Sequence, residues 1–114
     1  MRSLIAALLL CFLVIPVQAE DCIASVYAIG DPSQPGKQTA SGIPLDDDVM
    51  SGAHQSLPLG SKVKVTNKLN GMSITITITD RGPFVRGRCM DVSKAAASAL
   101  GLFGLAPVSV TPDD

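Results

Sequence analysis

Ile74, Ile76 and Ile78 alternate strictly with Thr75, Thr77 and Thr79, a period of two that predicts a strand with one face buried and the other wet. Asp80 keeps the parity of the isoleucines, so a strand that persists to its last residue delivers a carboxylate at the end of the apolar face. Gly82-Pro83 stops the ladder there, because proline donates no backbone hydrogen bond and glycine permits the turn. The acid is therefore expected at a rim. A second alternation runs from Ser61 to Asn67, with Val63 and Val65 on one face and Lys62, Lys64 and Thr66 on the other. Asn70-Gly71 reverses the chain between the two and predicts a hairpin. Cys22 to Ala28 reads as a first strand, Arg88 to Val92 as a short one that carries Asp91, and Val108 to Thr111 as the last. Ser93 is placed to cap a helix over Lys94 to Leu100, and Gly101 to end it. The stretch Ser51 to Pro58 lies between breakers and shows no apolar periodicity. Several short strands, one alanine-rich helix and frequent Gly and Pro breaks predict a compact β-barrel rather than a sandwich.

The first 19 residues do not fit that domain. Arg2, the uncharged run Leu4 to Ile15, Pro16 and then Val17-Gln18-Ala19 follow the charged, apolar and small-residue order of a cleavable secretory signal. The run is shorter than the roughly 20 apolar residues that a bilayer-spanning helix needs. The expected organisation is a leader over 1–19 and one domain over 20–114. The domain would be exported to a periplasm or beyond the cell, with no stable membrane insertion after cleavage. Removal of the leader takes Cys11 with it and leaves Cys22 and Cys89. An even pair in an oxidising compartment predicts a disulfide, and closing so long a loop contributes about 4 kcal/mol in the chain-entropy picture.

Charge and composition narrow the chemistry. Nine Lys and Arg stand against 10 Asp and Glu, and the only basic cluster is Arg81, Arg86 and Arg88, so nucleic acid is a poor partner. His54 is the single histidine, which excludes a multi-histidine metal centre, and with the cysteines bridged a zinc site has too few ligands. Asp46-Asp47-Asp48 lacks the spaced oxygen ligands and late bidentate acid of a calcium loop. It reads as a solvated acidic turn, and neither metal nor cofactor is expected. From composition alone His54 reads as a surface or structural residue, with a catalytic role as the alternative. Thr39-Ala40-Ser41-Gly42 is small and polar, in a position where another chain or a ligand could approach the backbone closely.

Taken together, these pieces resemble a known family. Ala24-Ser25-Val26-Tyr27, Thr39-Ala40-Ser41-Gly42, Ala53-His54 with Leu57-Pro58, Val63-Lys64-Val65-Thr66-Asn67 with Asn70-Gly71, Thr79-Asp80-Arg81-Gly82-Pro83-Phe84, Asp91-Val92-Ser93 with Ala95-Ala96, and Leu100-Gly101 follow one another as in the rare lipoprotein A (RlpA) domain. Asp-Arg-Gly-Pro-Phe is the most specific block. The resemblance implies a mainly β fold, a six-stranded double-psi β-barrel with one or two short helices, related to expansins and barwin. It also implies an endolytic peptidoglycan lytic transglycosylase that prefers glycan strands lacking stem peptides and leaves 1,6-anhydro-N-acetylmuramic acid ends. Carried over by position, the family's essential aspartate falls on Asp80 and its essential histidine on His54. Thr39, Arg81 and Asp91 become candidate glycan contacts. Asp91 has a second reading, as a support for the strand-to-helix turn. The family commonly has Glu after Thr-Ala-Ser-Gly, and here that place is Ile43. The alternative is a non-catalytic, expansin-like glycan-binding or wall-loosening module using the same groove. Either way the expected partner is a peptidoglycan glycan strand, bound by a monomer.

Overall fold

The structure is a computed structural model that describes residues 19–27 and 38–113. The expected leader, apart from Ala19, and the expected loop Gly30 to Gly36 lie outside the described residues. Six strands, β1 (Glu20–Val26), β2 (Ser51–His54), β3 (Lys62–Asn67), β4 (Ser73–Asp80), β5 (Arg88–Val92) and β6 (Ala106–Pro112), close into a barrel in the order β1-β5-β2-β4-β3-β6. Two pairs are parallel, β1 with β5 and β2 with β4. The other four are antiparallel. Closure leaves no open sheet edge, which suits a chain whose strands are this short.

The two alternating segments behave as their periodicity predicts. Val63 and Val65 from β3 and Ile76 and Ile78 from β4 point into the barrel, where they meet Ala24, Met90, Val92, Val108 and Val110. β3 and β4 pair from Lys62↔Thr77 to Thr66↔Ser73. Asn67 ends β3 and is buried, because its side chain serves the hairpin and the helix at once. Its Oδ1 accepts from Leu69 N, and its Nδ2 donates to Leu100 O at 2.9 Å.

The single helix among the described residues, α1 (Lys94–Leu100), has the predicted caps. Ser93 Oγ accepts from Ala96 N, and Gly101, at φ 66°, returns its N–H to Ala97 O and Ser98 O. That left-handed position suits glycine. Asn70 Nδ2 joins Asn67 in donating to Leu100 O, at 3.0 Å, so an end carbonyl of the helix is satisfied by the β3–β4 turn.

Several strand boundaries and one whole strand differ from the expectation. β1 begins at Glu20, two residues before the expected Cys22, because Glu20 already pairs with Val110; β6 is longer for the same reason. The unexpected strand is β2, and Gly52 explains why four residues without apolar periodicity can pair on both sides. A Cβ at Gly52 would lie 2.8 Å from Ile76 Cδ1 and 2.9 Å from Asp91 O. Only glycine lets β2 pass that close to its neighbours.

The expected disulfide is formed. Cys22 and Cys89 are bonded, with Cα atoms 5.7 Å apart and 67 residues between them in sequence. It joins β1 to β5, two neighbouring parallel strands far apart in the chain.

Candidate active site

The strand registers place four residues in one row. Ser25 lies beside Asp91, Asp91 beside Ala53, and Ala53 beside Asp80. Register partners share a face of a sheet, and this face is the outer one. Val92, Met90 and Ile78, which alternate with the row, all belong to the core cluster inside the barrel, whereas Ala53, though buried, does not. The row crosses four strands, about 14 Å at the usual strand spacing.

The position of Asp80 corrects the parity argument. A register shift lies between Gly52 and Ala53: Gly52 pairs with Ile78, yet the next residue pairs with Asp80. Thr79 is thus the extra residue of a β-bulge, and it turns Asp80 from the isoleucine face to the outer face. Bulges re-aim side chains in this way next to active sites. Thr79 itself is buried, covered by the 38–44 segment, where Ser41 N donates to Thr79 O at 3.0 Å.

The Asp80 carboxylate is held by one oxygen. Oδ1 accepts from Ala40 N and from Arg81 N, each at 2.9 Å. The hydrogen bonds of normal geometry that the carboxylate accepts both fall on Oδ1. An oxygen that already accepts two amides is a poor seat for a proton, so the proton of the acid form belongs on Oδ2, the half-exposed side. The small Thr39-Ala40-Ser41-Gly42 segment therefore approaches another part of the chain. Thr39 is buried, its Oγ1 in contact with Ile43 O and 2.9 Å from Ser41 Oγ; it shapes the turn that presents Ala40 N. Ile43 is 59% exposed.

Asp91, the second acid of the row, is hydrogen-bonded by Ser25 Oγ through Oδ1. Arg81 does not face the row with its guanidinium. Its Nη1 donates to Leu57 O at 2.7 Å and to His54 O at 3.3 Å, which ties the residue after Asp80 to the loop that follows β2.

His54 is buried, and it shares the inner face with its partner Met90. Its Nδ1 accepts from Ser56 N and Leu57 N, each at 3.1 Å. Two donors on Nδ1 leave the ring hydrogen on Nε2, which donates to Glu20 Oε1 at 2.8 Å. Asp80 and His54 are thus set on opposite faces, with no hydrogen bond between them. What links them is a relay of backbone contacts: His54 holds the 55–57 turn, the turn's carbonyl holds Arg81, and the Arg81 amide holds Asp80.

Two residues at this site escaped the sequence reading. Glu20 is the partner of His54. Tyr27, the only tyrosine in the chain, follows β1 with its amide bonded to Val92 O. Its hydroxyl is buried, and burial first, then the charges of Asp80 and Asp91, push its ionisation well above the ordinary tyrosine value. It lies two residues beyond Ser25 and so on the same face by alternation, a signal that the row makes legible and the sequence alone does not. Beside it opens a hollow of about 300 Å³ lined by Ser25, Tyr27, Arg88, Phe103 and Leu105. Phe103 is 96% exposed.

Glu20, Cys22 and Cys89 are the one group of three potential metal ligands among the described residues, and the disulfide removes two of them. No helix of the described residues is long and apolar enough to cross a membrane.

Comparison with known proteins agrees with this geometry. A "Probable endolytic peptidoglycan transglycosylase RlpA" of Nostoc sp. is 48% identical over 90 residues, covering 77% of this chain and 24% of that protein. An "Endolytic peptidoglycan transglycosylase RlpA" of Pasteurella multocida is 45% identical over 86 residues, covering 75% and 28%. The chain thus spans about a quarter of the length of these curated relatives. Among solved structures, an apo expansin of Clavibacter michiganensis superposes with a TM-score of 0.62 at 24% identity, over 84% of this chain and 51% of that one; at that identity the likeness is one of fold. The family model described as "Lytic transglycolase" matches residues 19–110, and with the closed six-stranded barrel it shows that the chain belongs to the RlpA-like double-psi β-barrel family of lytic transglycosylases.

Proposed function

We propose that the domain is an endolytic lytic transglycosylase of peptidoglycan, with Asp80 as its single acid and base. The observation that carries this reading is the asymmetry of the partly exposed Asp80 carboxylate, one oxygen fixed by two amides and the other by none. Oδ2–H protonates the glycosidic oxygen as its bond to C1 of N-acetylmuramic acid breaks. The carboxylate then takes the proton of the 6-hydroxyl as that oxygen bonds to C1. The acid is restored, a 1,6-anhydro end forms, and no water is consumed. An internal nucleophile gains from proximity, so one carboxylate serves where glycoside hydrolysis uses two. Asp80 and Asp91, the partly exposed members of the row, flank buried Ala53 and mark the line along which a glycan strand would lie.

In this reading His54 is a positioning residue, acting on Asp80 through the 55–57 turn and Arg81. Thr39 likewise acts through the Ala40 amide. Asp91 contacts the glycan from the far side of Ala53. The protein is exported as a monomer through its leader and meets glycan strands outside the cytoplasm, with no cofactor.

A second reading, a glycan-binding module without turnover, is favoured by exposed Ile43 in the place of the family's Glu. The two are separated by incubating residues 20–114 with peptide-free glycan strands and analysing the soluble products by mass spectrometry. Turnover gives anhydro-ended fragments that disappear in Asp80→Asn while binding to sacculi persists. Intact strands from folded, bound protein would establish the second reading, and an undiminished Asp80→Asn would remove Asp80 from the mechanism.

A further inference from the structure

Three observations converge on Tyr27. Its hydroxyl is buried and makes no hydrogen bond that meets normal geometry, an arrangement that carries an energetic penalty unless the group finds a partner in use. Burial first, then the charges of Asp80 and Asp91 and a side-chain hydrogen bond to Asp80, raise its ionisation; the two acids sit on strands separated only by β2, whose backbones lie about 10 Å apart. Asp80 Oδ2 accepts no hydrogen bond of normal geometry among the described residues, whereas Asp91 Oδ1 is already taken by Ser25. A phenol carries one donor hydrogen and an acceptor oxygen, and its hydrogen can rotate.

We infer that the Tyr27 hydroxyl is a hydrogen-bond switch between Asp91 and Asp80 that keeps Asp80 Oδ2 aimed in both halves of the catalytic cycle. When Asp80 is protonated, Oδ2–H donates to the Tyr27 oxygen until the glycosidic oxygen takes its place, and the Tyr27 O–H donates to Asp91. Once the proton has left for the sugar, the Tyr27 O–H swings to Asp80 Oδ2 and holds the carboxylate for the 6-hydroxyl. No proton leaves Tyr27 at any stage; a hydrogen bond changes partner. Asp91, locked by Ser25, is the resting acceptor, which gives the second acid of the row a role besides glycan contact. The inference rests on the transglycosylase reading for its catalytic part, but the switch itself is a property of the folded chain.

The charged groups around the switch are few. Asp80 comes from β4 and Asp91 from β5. Arg88, also from β5, lines the hollow beside Tyr27. The Arg81 guanidinium is engaged by two carbonyls, and the His54–Glu20 pair lies on the inner face.

Because Tyr27 is the only tyrosine, growth on fluorotyrosine labels this one position, and fluorine NMR of the full domain reads it without any turnover. The expected result is a single resonance that titrates with a carboxylate in the parent and loses that step in Asp80→Asn. In kinetics on peptide-free glycan strands, Tyr27→Phe should lower kcat about tenfold, the loss expected of one charge-assisted hydrogen bond. KM should change little. The descending limb of its pH profile should move to higher pH, because the ionised acid loses its donor. A resonance blind to Asp80→Asn overturns the inference even in an active enzyme. So does a Tyr27→Phe variant with the parental kcat and pH profile. If no variant, nor the parent, releases anhydro ends while the resonance still follows Asp80, the transglycosylase reading fails and the switch stands.

Discussion

Replacing His54 separates a structural acceptor from a ring that works by its proton. In His54→Ala the amides of Ser56 and Leu57 lose their acceptor at 3.1 Å each. Two such bonds contribute about 0.5–1.5 kcal/mol apiece, and a buried imidazole leaves a void behind it. The Glu20 link adds little, since that carboxylate is half exposed and exposed pairs contribute at most about 1 kcal/mol. The expected destabilisation is about 2–4 kcal/mol. His54→Asn should do better, because the amide oxygen of Asn reaches the place of Nδ1 and Asn readily accepts from amides two and three residues on. It keeps both turn hydrogen bonds, loses only the Glu20 link and part of the ring volume, and should cost about 1–2 kcal/mol. Urea unfolding gives the two stabilities, and anhydro-end release per folded molecule gives the activities. If His54 acts by holding the 55–57 turn, His54→Asn retains far more activity than His54→Ala. Equal loss of stability and of turnover in both would refute the argument and place the function of His54 at Nε2 instead.

Two further outcomes follow from the same structure. Reduction of Cys22–Cys89, whose partners lie 67 residues apart, should lower stability by about 4 kcal/mol; an unchanged urea midpoint under reductant, with both thiols then accessible to label, would show that the bridge contributes nothing. Tyr27 ionises only well above its ordinary value, through burial first and then Asp80 and Asp91. Below about pH 10 both states keep the phenol proton and this contribution is complete, whereas above it the unfolded chain ionises first and stability falls. The parent should therefore lose more stability than Tyr27→Phe between about pH 10 and 11, and parallel urea midpoints would contradict this.

The parts of the fold that sequence reveals are those where one local pattern decides the outcome. β3, β4 and α1 were legible because Ile/Thr and Val/Lys alternation, the Ser93 cap and the Gly101 stop act within a few residues of themselves. The cysteine pair was legible from its number and compartment. β2 was not, because Ser51-Gly52-Ala53-His54 is a strand by virtue of its neighbours: Gly52 is selected by the closeness of Ile76 and Asp91, a tertiary fact with no local signature. The likeness to the RlpA domain proposed Asp80 and His54, yet it could not say that they lie on opposite faces. Glu20 was only the first residue of the expected domain, and Tyr27 one residue of the expected first strand, since what makes each notable is a partner more than 30 positions away.

The bulge at Thr79 is where these strands of reasoning meet. Without it, alternation would carry Asp80 inward with Ile76 and Ile78, into a core whose other members are apolar. A carboxylate there would lack the Ala40 amide and would face desolvation without compensation. With it, β4 spends its parity in apolar packing up to Ile78 and then presents an acid to solvent-accessible backbone donors. β2 does the complementary thing within two residues, turning Ala53 to the outer side, where it is buried, and His54 inward to brace the turn that follows. Because the two catalytic candidates are divided between faces, influence of one on the other has to travel through the 55–57 turn and Arg81, each link of which is a hydrogen bond to backbone. Such a path transmits position rather than protons. In the proposed mechanism it is the path by which His54, with no hydrogen bond to Asp80, sets the geometry of the Asp80 carboxylate.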